Sequence, residues 1–421
     1  MRRVAITGLG FVTSIGNDCD SVAASLKELR HGLGKFDYLP GCELPVTVAG
    51  TIKGFDTSSD HYGEWRWPSR YEISRDTLRS LPPHGVHAIC AVEQMLADAR
   101  LETSDIEDGG TALFTASAGS PSNLRRTVNQ FHDTLGKRVA PFGVVSSISG
   151  TLNFNLATRY RIHGGVCGFV SACASSAHAM GYAYDEIALG RHKRVIVVAG
   201  EDLNGDAIYG FHGMHALSRN PEPATASRPF DALRDGFVGT GGGTALLLED
   251  AEEAEKRGAP LYAEMLGWGQ ASDGYSLAAS DPDGLGLERA MRRAMTASEI
   301  RPEEVSYVNA HATSTQAGDR SEIRALHRVF TEAGATPLVS STKALTGHGL
   351  SMAAVMEAGF CALAAARGFI PGQAHLSEPD PECGRLNLPR TSVATAPGIM
   401  LKNSSGFGGS NVVLVLRRWQ G

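Results

Sequence analysis

Short, uniformly apolar runs alternate with longer segments of mixed character along most of this chain. Runs at Val4–Ile6, Thr111–Phe114, Gly165–Val170 and Arg194–Ala199 have the length and uniformity of strands, and those flanking the segment Ala172–Gly190 read as buried on both faces. Segments near Asp20–Leu29 and His87–Arg100 read as helices, as does Ala174–Gly190, which ends at a plausible glycine stop. This alternation predicts an α/β protein with largely parallel sheets.

Two stretches break the rhythm. Gly34–Pro83 is irregular and rich in Gly, Pro, Trp and charge, as a surface excursion would be. Glu249–Gly258 is charged and helical in character, and Tyr262–Gly269 after it resembles a restart of the opening strand. A chain of 421 residues exceeds one ordinary core. Two halves, 1–250 and 251–421, are therefore expected, and a duplicated architecture fits them.

Composition narrows the function classes. Hydrophobic content of 42% and charged content of 20% describe a globular protein, and a net charge of −6 argues against a general nucleic-acid binder. Seven scattered cysteines without a CxxC pair form neither a disulfide framework nor a zinc site, which fits a reducing cytoplasm. The basic start before Val4 precedes too short an apolar run for a signal peptide. No segment reads as a membrane span, so no membrane partner is expected. Gly8–Gly10 and Gly239–Gly243 lack the phosphate-loop lysine and the dinucleotide fingerprint. His212 and His215 have no nearby third ligand, so no metal is expected.

The candidate chemistry lies at strand ends, where an open α/β sheet forms its ligand crevice. Val170-Ser171-Ala172-Cys173-Ala174-Ser175-Ser176 places one cysteine between a strand and a helix. A helix N-terminus favours thiolate, the reactive form. A free cysteine is also commonly a buried structural residue, and this segment alone leaves both readings open. Three further strands run into loops bearing His311, Lys343 with His348, and the turn Gly406–Gly409 around Phe407. Convergence of these four loops would make one site.

Taken together, Ala172-Cys173-Ala174-Ser175-Ser176, Ser227–Asp231 with Arg234–Val238, Asn309–Thr315, Lys343 with Thr346-Gly347-His348, and Gly406-Phe407-Gly408-Gly409 resemble the β-ketoacyl-acyl-carrier-protein synthases, within them the type I/II branch. The resemblance runs in family order over nearly the whole chain. It implies the thiolase fold, two similar α/β halves stacked as a five-layer αβαβα sandwich, usually dimeric. It also implies roles: Cys173 as acyl-accepting nucleophile, His311 and His348 as the paired histidines, and Lys343 as the site lysine with Glu322 as its acidic partner. Thr313 and Thr315 would hold the phosphopantetheine arm. Phe407, followed by Gly408, would be the gate, its N–H forming an oxyanion hole with that of Cys173.

Such a site performs a decarboxylative Claisen condensation of an acyl-cysteine with malonyl-acyl carrier protein, giving a 3-oxoacyl carrier thioester for fatty-acid or polyketide elongation. Substrates would arrive on the carrier's phosphopantetheine, with no permanently bound cofactor. Paired histidines argue against relatives with one histidine and one asparagine, and Cys173 argues against inactive chain-length factors. The chain departs from the pattern at Ala312, usually glycine, and at Ser405, usually phenylalanine. Those departures leave as an alternative a specialised polyketide or aryl-polyene ketosynthase paired with a chain-length factor; a reading of a different class is a non-catalytic carrier-binding dimer subunit. Lys137, Arg138, Arg75 and Arg79 are candidate docking charges for an acidic carrier. Gly119, in the small-residue loop Thr115–Ser120, would border the acyl pocket, and Gly119→Ile should then shorten the products.

Overall fold

Strand order in the computed structural model, which describes residues 1–41 and 43–420, exposes an internal repeat. The first half contributes β1 (Val4–Val12), β4 (Thr111–Ala116), β5 (Val166–Phe169), β6 (Arg194–Glu201) and β7 (Gly242–Asp250), while β2 (Leu33–Lys35) and β3 (Val48–Gly50) form a separate ribbon. The second half contributes β8 (Ala263–Ser272), β9 (Val305–Asn309), β10 (Leu338–Ser340), β11 (Ile399–Gly406) and β12 (Ser410–Arg418). One hydrogen-bonded order, β5-β4-β6-β7-β1, is matched position for position by β10-β9-β11-β12-β8. The two arrays join where Val4–Ile6 pairs with Ala263–Met265.

Both arrays are mixed, which corrects the expectation of largely parallel sheets. β4 pairs parallel with β5 and β6, and β9 with β10 and β11, but β7 and β12 return antiparallel to their neighbours. A hairpin makes the antiparallel return possible in the second half, because only Phe407–Gly409 separates β11 from β12.

Three apolar cores lie between the layers. The central one packs the helices Ser175–Ala188 and Ala353–Arg367 between the two arrays. A second lies beneath Pro83–Asp98 on the outer side of the first array, and a third beneath Leu285–Ala297 and Gln316–Leu326 on the outer side of the second. These layers form the α-β-α-β-α stack. The helical stretch Leu350–Arg367 is long and apolar enough to cross a membrane, contrary to the expectation from the sequence. It is 83% buried in this central layer, and its low amphipathicity is that of a helix surrounded by protein.

β5 also differs from its expectation. It pairs only with β4, and Val166, Cys167 and Gly168 are exposed, so it is an edge strand. A short apolar run has the same composition whether a neighbour covers it or not, and sequence alone does not separate the two. The six described cysteines are free thiols; Cys42 lies outside the described residues.

Candidate active site

The cysteine turn is built from local bonds. Ala172 adopts a left-handed conformation with φ 50°, a strained state for a residue with a side chain. Ser175 Oγ holds the turn by accepting the Ser171 N–H at 2.8 Å and donating to Ala172 O at 2.6 Å. Ser176 Oγ accepts the Val355 N–H and ties this helix start to the other central helix. Cys173 thus stands just before the first turn of Ser175–Ala188, as the sequence predicts.

Strand ends bring the other groups to it. His348 Nε2 lies 3.1 Å from Cys173 Sγ. His311, just beyond β9, faces His348 edge-on, with ring centroids 5.3 Å apart. Both rings are held well below the ordinary histidine range, chiefly by burial and then by the positive charge of Lys343, so both are neutral at pH 7. Burial dominates the cysteine as well and pushes its thiol up to about 12, with Lys343 opposing the shift. The resting group is therefore a thiol that donates to His348 Nε2, not the free thiolate expected from the helix terminus. Iodoacetamide alkylation of Cys173 should accelerate about tenfold per pH unit from about pH 7 to 10; levelling off near neutrality would show a stabilised thiolate instead.

Glu322 is not the partner of Lys343, contrary to the sequence expectation. Its carboxylate accepts the His311 N–H at 3.0 Å, the Ala312 N–H at 2.6 Å and the Asn403 side-chain amide at 2.9 Å, and so shapes the histidine loop. Lys343 Nζ instead donates to Glu357 Oε1 at 2.6 Å, with both side chains fully buried. Glu357 comes from the central helix Ala353–Arg367. Its signal in the sequence was a single carboxylate in an otherwise apolar helix.

Cys173, His311, His348, Thr313, Thr315 and Phe407 all line one cavity of about 550 Å³. The Thr313 and Thr315 hydroxyls are 3.1 Å apart. Phe407 sits at the mouth, partly exposed, against Phe211, which packs on Phe237 and through it on His348. The turn needs its glycines. Gly408 has φ 79° and donates to Leu277 O, while a Cβ on Gly406 would lie 2.6 Å from Ser171 O and 3.1 Å from Cys173 N. That close approach brings the peptide carrying the Phe407 N–H against the cysteine turn, where two N–H groups can serve one oxyanion.

The departures from the family pattern find places here. The Ala312 methyl packs into the outer core rather than lining the cavity. Ser405 does line it and donates to Asn411 Oδ1 at 2.7 Å. His215, on the cavity wall, accepts from Arg219 at 2.7 Å.

Other expected residues lie apart. Lys137, Arg138, Arg75 and Arg79 are exposed but do not line the cavity, and Arg79 pairs with Asp76. Gly119 does not line it either; it has φ 85°, and an added Cβ would lie 2.4 Å from Ser147 O. Gly119→Ile should therefore lower the melting temperature, in addition to any effect on product length. The exposed neighbour Ala118 is the usable probe. Ala118→Trp should shift products toward shorter chains at unchanged melting temperature, and an unaltered product range would remove this loop from the acyl path.

Comparison with known proteins agrees with this geometry. Residues 1–254 match the family described as beta-ketoacyl synthase, N-terminal domain, and residues 262–377 match its C-terminal domain. The chain is 35% identical over 423 residues to 3-oxoacyl-[acyl-carrier-protein] synthase 1 of Escherichia coli K12, covering 99% of each chain. Among solved structures, a β-ketoacyl synthase from Burkholderia phymatum superposes with a TM-score of 0.90 at 32% identity, and the ishigamide ketosynthase/chain length factor with 0.86 at 27%, each over the full length of both chains. With its duplicated strand order and a cysteine set against two neutral histidines, the chain belongs to the β-ketoacyl synthase family of condensing enzymes.

Proposed function

We propose that this chain condenses an acyl group, carried as a thioester on Cys173, with malonyl-acyl carrier protein to give a 3-oxoacyl carrier in fatty-acid or polyketide elongation. The observation carrying this reading is the 3.1 Å approach of His348 Nε2 to Cys173 Sγ beside a second neutral histidine. As Sγ adds to the incoming thioester carbonyl, its proton passes to His348 Nε2. The Cys173 and Phe407 N–H groups receive the oxyanion, and the carrier thiolate leaves with the proton. The malonyl arm then enters along Thr313 and Thr315. Its carboxylate departs as carbon dioxide, and the enolate oxygen is held by histidine N–H groups, the His348 ring proton having moved to Nε2 once the thiol is acylated. Neutral histidines donate there without protonating the carbon, so the enolate attacks the acyl-cysteine carbonyl, its C–S bond breaks, and Cys173 leaves as a thiolate that takes a proton from water.

A second protomer belongs to this reading. Leu124, Val128, Phe131 and Leu135 form an exposed apolar stripe along and just beyond the helix Pro121–Asp133, and the uncovered edge strand β5 adds Val166. An apolar surface of this kind marks an interface. The partner is a second copy of this chain or a chain-length factor. Substrates ride on the carrier's phosphopantetheine, and the free thiols suit a reducing cytoplasm.

The test supplies the purified chain with acylated carrier and malonyl-carrier and reads the products by intact mass. A 3-oxoacyl carrier supports a self-sufficient synthase. Acylated protein without condensation indicates a missing partner subunit, and neither product contradicts the reading.

A further inference from the structure

A second buried lysine stands beneath the site. Lys402 lies on β11, one residue before Asn403, the residue that holds Glu322. Along that strand Met400, Lys402 and Ser404 share one face, and Met400 belongs to the central core, where an unpaired ammonium would be costly. Lys402 is fully buried, as are Lys343 and Glu357. Its Nζ lies 2.9 Å from Glu357 Oε2 as an ion pair outside hydrogen-bonding geometry, and its protons go to Asn403 O and Ser404 Oγ. One carboxylate is thus flanked by two lysines. The Lys343–Glu357 pair alone would already balance the Glu357 charge, so Lys402 is an additional cation with a cost of burial and no structural need for its charge.

We propose that Lys402 is a positioning residue for the decarboxylation step: with Lys343 it holds Glu357 between two ammonium groups, and this cluster sets the field on His311 and His348. The inference rests on the condensing reading above. The positive charge of Lys402 contributes, after burial and Lys343, to keeping both histidines neutral. The ionisable groups facing the cluster are Glu357 and Cys361 from the central helix, Tyr307 from β9, Lys343, and Glu322 and Cys173 at the site. The acylation step uses Cys173 and His348 with little net charge in the resting site, whereas decarboxylation develops a full negative charge on the enolate. Lys402 therefore bears mainly on the second step.

The sign follows from the charge. Removing a cation raises the histidine pKa values, so the acid limb of the rate profile moves to higher pH. The test uses the full-length chain with Lys402→Met, Lys402→Gln and the charge-keeping Lys402→Arg. It measures Cys173 acylation by intact mass and carbon dioxide release from malonyl-carrier across pH. In the Met and Gln variants the acid limb should rise by about one unit, so that decarboxylation measured on that limb falls roughly tenfold, while acylation at neutral pH stays within about twofold. Lys402→Arg should keep the wild-type limb. An unmoved limb in Met and Gln, or acylation and decarboxylation falling together in all three, would make Lys402 a packing residue and overturn the proposal. Variants that do not fold would assign it to the fold and overturn it equally. A wild-type chain that neither acylates nor releases carbon dioxide would instead overturn the condensing reading itself.

Discussion

Cys173→Ala should abolish condensation, a loss on the order of 10⁴-fold or more, while leaving malonyl-carrier decarboxylation measurable. Cys173 is the one thiol among the described residues that line the cavity, and loss of a nucleophile acting as one unit with its base removes nearly the whole rate enhancement. His348 stays fixed through its backbone bonds with Val238 and Thr240, and the Glu322 carboxylate holds the His311 loop. Carbon dioxide release without 3-oxoacyl product would therefore separate the two half-reactions. Retained condensation in this variant, assayed with acylated carrier and malonyl-carrier, would refute the nucleophile assignment.

Glu357→Gln is expected to have the largest effect on stability. It leaves Lys343 and Lys402 buried against a neutral amide, and breaking a buried ion pair by removing one partner costs about 3–5 kcal/mol. Burial already holds Lys343 below the ordinary lysine range, with Lys402 adding to that shift and Glu357 opposing it. Without the carboxylate the folded state favours shedding a lysine proton that the unfolded chain keeps. Stability then rises with pH, because the unfolded state binds more protons. The deficit relative to wild type should be greatest near neutral pH and narrow toward about pH 10. Thermal melts at several pH values measure both features. A melting temperature within about one degree of wild type at pH 7 would show that the cluster contributes little to the fold.

The parts of this site that were legible in the sequence lie at strand ends, where residue type and position reinforce one another. Cys173, His311, His348 and Phe407 each lie beyond a run that reads as a strand, and they meet in one cavity. The duplicated halves were legible only as a restart at Tyr262, whereas strand order makes the repeat explicit. What escaped was pairing across the central layer. Glu357 is 14 positions from Lys343 but on a different element, and its pairing depends on how the helix Ala353–Arg367 crosses β11. Glu322 was the nearer carboxylate to the His311 motif, and it binds that motif's backbone instead. Lys402 carried a signal that could have been read, a lysine directly after the apolar run Ile399-Met400-Leu401 on the same strand. A charge on the inward face of a strand requires a buried counter-charge. The cysteine's state was misjudged for a related reason: the helix terminus was visible in the sequence, but the burial that outweighs it was not.

The central claim is tested most directly by mapping the acyl group on the protein. The full-length chain is incubated with an acylated carrier alone, digested, and its peptides weighed; malonyl-carrier is then added to a parallel sample. The account predicts the acyl mass on the peptide containing Cys173, and its discharge on malonyl addition with one carbon dioxide released per acyl group lost. An acyl group on another residue, or an acyl-Cys173 that malonyl-carrier never discharges even with a partner subunit present, would contradict it.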